Sequence, residues 1–210
     1  MPIRKASTET WEEARQVIRR GGLVAFPTDT VYGLGCDPYN VAAIEKLYAA
    51  KSRDQAKALP LLLSGAHRVG DVARLFPPTA EALAKQFWPG ALTLVVAQQP
   101  TLPEALGGGD TIAVRVPRHE QLLAFLEACG GALAVSSANV SGQPEAHDAE
   151  EAAAYLEGSV DLIVDGGRSP GGVPSSIVDC TLPVPRLLRE GAIAEEEIRA
   201  VLAAWEAGRA

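Results

Sequence analysis

Apolar and polar positions along the chain alternate between two periods, and the switches mark out elements. Trp11, Ala14, Val17 and Ile18 recur at helical spacing and stop at Gly21-Gly22, while Thr10 with Glu13 matches a capping box, so a first helix starts there. An apolar run over 23–26 has no helical period and ends at Pro27, as a buried strand does. The polar loop TDTVYGLG follows, with Thr28, Asp29, Thr30 and Tyr32 able to hydrogen-bond and Gly33 and Gly35 allowing close approach of a ligand. Asn40 is the N-cap of a second helix with Val41, Ile44, Leu47 and Tyr48 on one face, running to about Lys51. Further along, 59–63 reads as a buried strand, 67–76 and 79–88 as helices, and 91–97 as a strand. The stretch 98–110 has no period and ends in three successive glycines, which predicts a flexible connection or flap.

Order returns with a strand over 111–117, a helix over 120–128 and a strand over 132–135 that runs into SSANVSG. Asp148 and Glu151 open another helix, 160–164 is a strand, and 166–176 is a long loop rich in Gly, Pro and Ser. Short strands over 177–180 and 186–188 and a helix over 195–205 close the chain. Helices and strands alternate without internal repeat, which predicts an α/β fold with a mixed sheet. Three polar loops follow strands, and in such sheets ligands gather beyond strand ends, so TDTVYGLG, SSANVSG and the Ser175 region are placed around one cleft.

Composition changes this picture little. A chain of 210 residues, 47% hydrophobic and 21% charged, matches one soluble globular domain, here taken as 1–210. No apolar run approaches the roughly 20 residues that span a bilayer, and no apolar segment follows the basic N-terminal residues, so the expectation is a cytoplasmic protein without membrane contact. Cys36, Cys129 and Cys180 are widely spaced and odd in number, which favours neither disulfides nor a zinc site; each is expected as a small packed hydrophobe. A net charge of -7 argues against nonspecific nucleic-acid binding, yet Lys46, Lys51, Arg53 and Lys57 cluster on this acidic body.

Charge narrows the chemistry. Lys51 and Arg53 in KSR reach one site if the helix ends between them, and two cations in a cleft suit phosphates; the alternative is a solvated helix end complementing the dipole. Arg115 interrupts the apolar run IAVRVP, so it faces either water or a ligand. Ser137 and Asn139 in SSAN offer hydrogen bonds to a polar ligand, or else cap the turn. No G-x-S-x-G elbow, H-E-x-x-H or P-loop occurs, and His67, His119 and His147 have no evident nucleophile partner, so no metal ligand is assigned and any nucleotide is held by another construction.

Taken in order, PTDTVYGLG, KSR, WPGALTLVV, IAVRVPRH, SSANVSG, SSIVD and LLREGAI resemble the YrdC/Sua5 family of threonylcarbamoyl-AMP synthases, over about 21–193, with a C-terminal helix in 194–210. The resemblance implies a YrdC-like twisted mixed sheet flanked by helices, with a large concave cationic cleft. It implies a nucleotidyltransferase making threonylcarbamoyl-AMP and pyrophosphate from L-threonine, bicarbonate or CO2 and ATP, with Mg²⁺ accompanying ATP. The product would pass to a tRNA threonylcarbamoyl-transfer complex that modifies the adenosine beside the anticodon, with room for a weak tRNA contact. By similarity Lys51, Arg53, Ser137 and Asn139 are the catalytic tetrad; these four, with Arg115, Ser175 and Arg189, hold ATP; Thr28, Thr30 and Tyr32 line the threonine pocket. Two departures stand out: Asp54 where relatives often have Pro, and no His near Ser64. The matching stretch reaches nearly to the last residue, so the expectation is a short form without the extra C-terminal domain of longer relatives. Competing readings are an RNA-binding or ribosome-associated module, disfavoured by the acidic balance, and a carbamoyl-transfer domain of the hydrogenase-maturation type, whose accompanying segments are not visible.

Overall fold

The structure is a computed structural model that describes residues 2–156 and 158–208. In chain order it runs β1 (Ile3–Lys5), α1 (Thr8–Arg19), β2 (Val24–Phe26), β3 (Gly33–Cys36), α2 (Val41–Ala50), β4 (Leu61–Leu63), α3 (Val69–Val72), β5 (Ala73–Leu75) and α4 (Pro78–Phe87). It continues through β6 (Leu92–Gln98), β7 (Thr111–Arg115), α5 (Glu120–Ala128), β8 (Ala132–Ser137), α6 (Ala149–Tyr155), β9 (Leu162–Asp165), β10 (Ser176–Asp179), β11 (Arg186–Arg189) and α7 (Glu195–Ala207). The described strands form one mixed sheet in the order β1-β9-β2-β3-β8-β4-β7-β6-β10-β11, with β5 paired to β6. Among the described residues no helix is long and apolar enough to cross a membrane.

Period-2 alternation sorts the strands onto two faces. Ala25, Leu34, Leu61, Leu63, Ala134 and Ile163 point to one side, where α2, α4 and α6 bury Ile44, Leu47, Leu83 and Ala152 against them. Val24, Phe26, Leu62, Leu133, Val135, Leu162 and Val164 point to the other and meet α1 and α5 through Ala14, Val17, Ile18, Leu122, Phe125 and Leu126. Strands buried on both faces read as continuous apolar runs, which is why residues 23–26 and 61–63 carry no polar positions. On the remaining strands the first face is covered by helices and the second faces a cavity: Leu92, Leu94, Val96, Ile112 and Val114 join the first core, while Thr93, Val95, Ala113 and Arg115 line the cavity.

Several sequence expectations need correction. The first helix is capped by Ser7, whose Oγ accepts from the Thr10 amide at 3.2 Å, while the Thr10 hydroxyl donates to the Lys5 carbonyl at 2.7 Å; the capping-box pattern starting at Thr10 lies inside the helix. The helix expected over 67–76 is a 3₁₀ turn, the single turn α3 and then β5, because the segment is drawn to the edge of β6. The stretch 98–110 is packed: Leu102 and Leu106 are buried, and the Leu106 carbonyl accepts from the Leu59 amide at 2.8 Å and the Tyr48 hydroxyl at 3.2 Å. TDTVYGLG is a hairpin, since Gly33–Cys36 pairs antiparallel with both β2 and β8.

The glycines of β3 have a packing reason. A Cβ on Gly35 would come within 2.8 Å of the Phe26 ring, and one on Gly33 within 3.1 Å of the same ring. Phe26 is fully buried and meets Phe125 edge-on at 6.0 Å. Gly35→Ala is therefore expected to destabilise the fold by about 1–3 kcal/mol through overpacking. Thermal unfolding of Gly35→Ala beside Gly35→Ala/Phe26→Leu checks this, since the smaller side chain should recover part of the loss; no recovery would point to a backbone cause.

Candidate active site

The open half of the second face, bounded by the strand ends, is a cavity of about 360 Å³. Its floor is apolar, with Leu62, Val95, Ala113, Val135 and Ile177 from five strands. Its walls are polar: Arg53 from the segment after α2, Arg115 from the end of β7, Arg189 from the end of β11, and Ser136 and Ser137 from the end of β8. The β2–β3 hairpin contributes Thr28, Thr30, Val31 and Tyr32, and Ser175 enters just before β10. Three guanidiniums around one concavity, only that of Arg115 paired with a carboxylate among the described residues, give it a cationic lining of the kind that suits an anion.

Strand register brings the distant motifs together. Gly33 pairs with Ser137 across β3 and β8, and the Ala138 amide donates to the Tyr32 carbonyl at 2.8 Å, so the hairpin lies against SSAN. β10 runs parallel beside β6, which sets Ser175 over Thr93 with their hydroxyls 2.8 Å apart. Arg189 then clamps this corner, donating from Nε and a terminal nitrogen to the Ser175 carbonyl at 3.1 and 2.8 Å. Burial pulls the Arg189 and Arg53 guanidiniums below the usual arginine range.

Arg115 resolves the alternative left open by its sequence context: it is 6% exposed and turned to the site. Its Nε donates to the Gly90 carbonyl at 2.9 Å, one terminal nitrogen to Thr30 Oγ1 at 3.0 Å and the other to Asp29 Oδ1 at 2.6 Å. This buried ion pair fixes the hairpin tip, and it satisfies groups whose isolation would be costly. The Thr28 hydroxyl donates to the Val31 carbonyl at 2.7 Å and lies 3.0 Å from Thr30 Oγ1, so both threonines are tied into the loop. Tyr32 behaves likewise: its hydroxyl donates to the Gly167 carbonyl at 2.8 Å and accepts from the Gly166 amide at 3.3 Å, and burial pushes its pKa up to about 12. The three residues expected at a threonine pocket thus stand at the cavity, with hydroxyls that shape its wall.

Lys51 and Asn139 occupy a different position from the other two members of the KSR and SSAN pair. Neither lines the cavity; Lys51 is 1% exposed, and its Nζ donates to the carbonyls of Ser137 and Asn139 and, at 3.4 Å, to Asn139 Oδ1. The Lys51 carbonyl in turn accepts from the Ser141 amide at 3.0 Å. Asn139 Nδ2 donates to the Gln143 carbonyl at 2.6 Å. KSR and SSAN are thereby one unit. Burial, with Arg53 nearby, pulls the Lys51 amine down to about 8. Arg53 reaches the cavity while donating to the carbonyls of Lys57 at 3.1 Å and Ala58 at 2.9 Å. The solvated helix end considered for this pair does not describe Lys51.

Sequence reasoning missed Thr93 and Glu145, both at the cavity. Thr93 had a signal: it is the polar position in an apolar strand whose alternate members Leu92 and Leu94 are core. Glu145 had none, since it lies in an irregular segment outside every motif. The cysteines are free; Cys36 and Cys180 are buried as expected, Cys129 is half-buried, and burial raises all three thiols to about 12.

The fold and cavity define an α/β protein with an arginine-lined cleft on one sheet face. The family model for Sua5, YciO and YrdC proteins, described as telomere recombination, matches residues 16–191, and the chain belongs to that family. The chain is 41% identical to the threonylcarbamoyl-AMP synthase of Pyrococcus abyssi over 186 residues, 88% of this chain and 55% of that protein. It is 40% identical to the Bacillus subtilis threonylcarbamoyl-AMP synthase over 192 residues, 90% of this chain and 56% of the relative. The chain therefore spans about half the length of these two relatives. The crystal structure of P. abyssi Sua5 complexed with L-threonine superposes with a TM-score of 0.89 at 39% identity, covering 95% of this chain and 59% of that one.

Proposed function

We propose that this chain is an L-threonylcarbamoyladenylate synthase, a nucleotidyltransferase that makes threonylcarbamoyl-AMP and pyrophosphate from L-threonine, bicarbonate or CO2 and ATP. The observation that carries the reading is the joining of Arg53, Arg115 and Arg189 with the hydroxyl-rich hairpin around one cavity of about 360 Å³. The synthase names of the relatives and the threonine-bound Sua5 structure support the substrate.

The residue types suit the reaction. The amine of threonine, once deprotonated, adds to CO2; a carbamate oxygen then attacks the α-phosphorus, and pyrophosphate leaves. Negative charge gathers on phosphate oxygens, and fixed guanidiniums in a partly dry cavity stabilise it without reorganising. In this reading Arg53, Arg115 and Arg189 face the nucleotide, with Ser137 and Ser175 donating hydroxyls. Lys51 and Asn139 act as positioning residues that hold SSAN against KSR. Thr28, Thr30 and Tyr32 form the wall at the amino-acid end. The described residues contain no group of three or more His, Cys, Asp or Glu able to cage an ion, so Mg²⁺ is read as travelling on the ATP phosphates, whose charge it offsets. The same proposal places the enzyme in the cytoplasm and passes its product to a complex that loads tRNA.

Purified protein incubated with ATP, Mg²⁺ and bicarbonate, with or without threonine, tests this by pyrophosphate release. Release that depends on threonine is expected. Release of equal size without threonine would remove the substrate assignment.

A further inference from the structure

Glu145 is the carboxylate among the described residues that line the cavity. It is half-buried, and it has neither an ion-pair partner nor a hydrogen bond among the described residues. Asp29, the acid closest in sequence to the hairpin threonines, is held by Arg115 at 2.6 Å and is not at the cavity surface. The nearby cations favour the negative charge of the Glu145 carboxylate, and since none of them pairs with it, it is open to a cationic group of a ligand. The backbone fixes where that cation must be. The Ala146 carbonyl accepts from the Tyr32 amide at 2.8 Å, and Asn139 Nδ2 holds the Gln143 carbonyl at 2.6 Å, so the segment carrying Glu145 is pinned between SSAN and the β2–β3 hairpin. Glu145 lines the cavity within electrostatic reach of Lys51 and Arg189.

We infer that Glu145 binds the ammonium group of the amino-acid substrate. A zwitterion needs a cation for its carboxylate and an anion for its ammonium, and among the cavity's described side chains only Glu145 supplies the second. The neighbouring hydroxyls of Thr28, Thr30 and Tyr32 do not replace it, because each is engaged within the loop or with the 166–167 turn. Glu145 acts when threonine binds, before the amine loses its proton to form the carbamate. The inference rests on the synthase reading and adds to it a residue that reads the amine.

Calorimetric titration of threonine, and of 2,3-dihydroxybutyrate in which a hydroxyl replaces the amine, into wild type, Glu145→Gln and Glu145→Asp separates the possibilities. Loss of one charge-assisted hydrogen bond is expected to weaken threonine binding by about 10- to 100-fold in Glu145→Gln. Affinity for the deaminated analogue and the KM for ATP should stay within about twofold of wild type, since neither ligand group meets Glu145. Glu145→Asp should recover part of the threonine affinity, and matching circular dichroism melts would show that each variant folds. Unchanged threonine affinity in Glu145→Gln overturns the inference while leaving the synthase reading in place, as does a loss confined to ATP. Wild type that binds no threonine overturns the synthase reading, and the inference with it.

Discussion

Lys51→Met is expected to destabilise the protein by about 2–5 kcal/mol. Methionine keeps the length of the buried stem but offers no donor, and the carbonyls of Ser137 and Asn139 are left facing it. A buried acceptor without a partner costs about 1–3 kcal/mol, and two are exposed to that cost together. Guanidinium denaturation at neutral pH measures the loss; a change below about 0.5 kcal/mol would show that the clamp contributes nothing, that being the range of ordinary surface changes. The pH dependence has a definite sign. Burial and Arg53 hold the Lys51 amine at about 8, below its ordinary 10.5. Between those values the unfolded chain keeps a proton that the folded chain has released, so stability rises with pH across that window. Below pH 8 the cost of burying the charge is fully present. The stability advantage of wild type over Lys51→Met should therefore widen from pH 8 toward 10.5.

Arg53→Ala should have the opposite profile. Its guanidinium faces the cavity and makes two hydrogen bonds to nearby carbonyls, so the fold should lose only about 1 kcal/mol. Under the proposed reaction, turnover should fall by about 10²- to 10³-fold, the size associated with removing one preorganised group from a developing anion. Steady-state pyrophosphate release with saturating threonine and ATP, beside a denaturation curve, checks both. Turnover within about threefold of wild type would remove Arg53 from the phosphate role, because a single positioned donor is worth far more than that.

Periodicity made most helices and the buried strands legible, because a core on each sheet face leaves a regular record. The second helix shows this well: Asn40 accepts from the Ala43 amide at 3.1 Å, where a cap was expected, and Ile44, Leu47 and Tyr48 are buried as expected, whereas Val41, placed on the same face, is exposed in the first turn. What escaped was decided by distant partners. Gly33–Cys36 looks like a loop because its glycines answer to the Phe26 ring and not to strand propensity. Residues 98–110 look mobile because what orders them is a contact with Leu59 and Tyr48, some 50 residues earlier in the chain. β1 is only three exposed residues and owes its existence to pairing with β9. At the site, cations and hydroxyls could be named from motifs, but their division of labour could not. That Lys51 faces carbonyls and Arg53 faces the cavity depends on Ser52, whose φ of 48° turns the backbone between them.

The mixed sheet also bears on motion. β8 lies between β3 and β4 in the middle of the sheet, hydrogen-bonded on both sides, and ends in Ser136 and Ser137 at the cavity. Amides of such a strand are freed only when the whole domain opens, so in hydrogen exchange they belong with the slowest group. The reacting end of the cleft is thus anchored to the last part of the molecule to unfold. The loop over 166–176 reaches the hairpin through few bonds, such as the Gly172 amide to the Thr30 carbonyl at 3.0 Å. A substrate entering this cleft meets serines carried on the slowest-exchanging strand of the sheet.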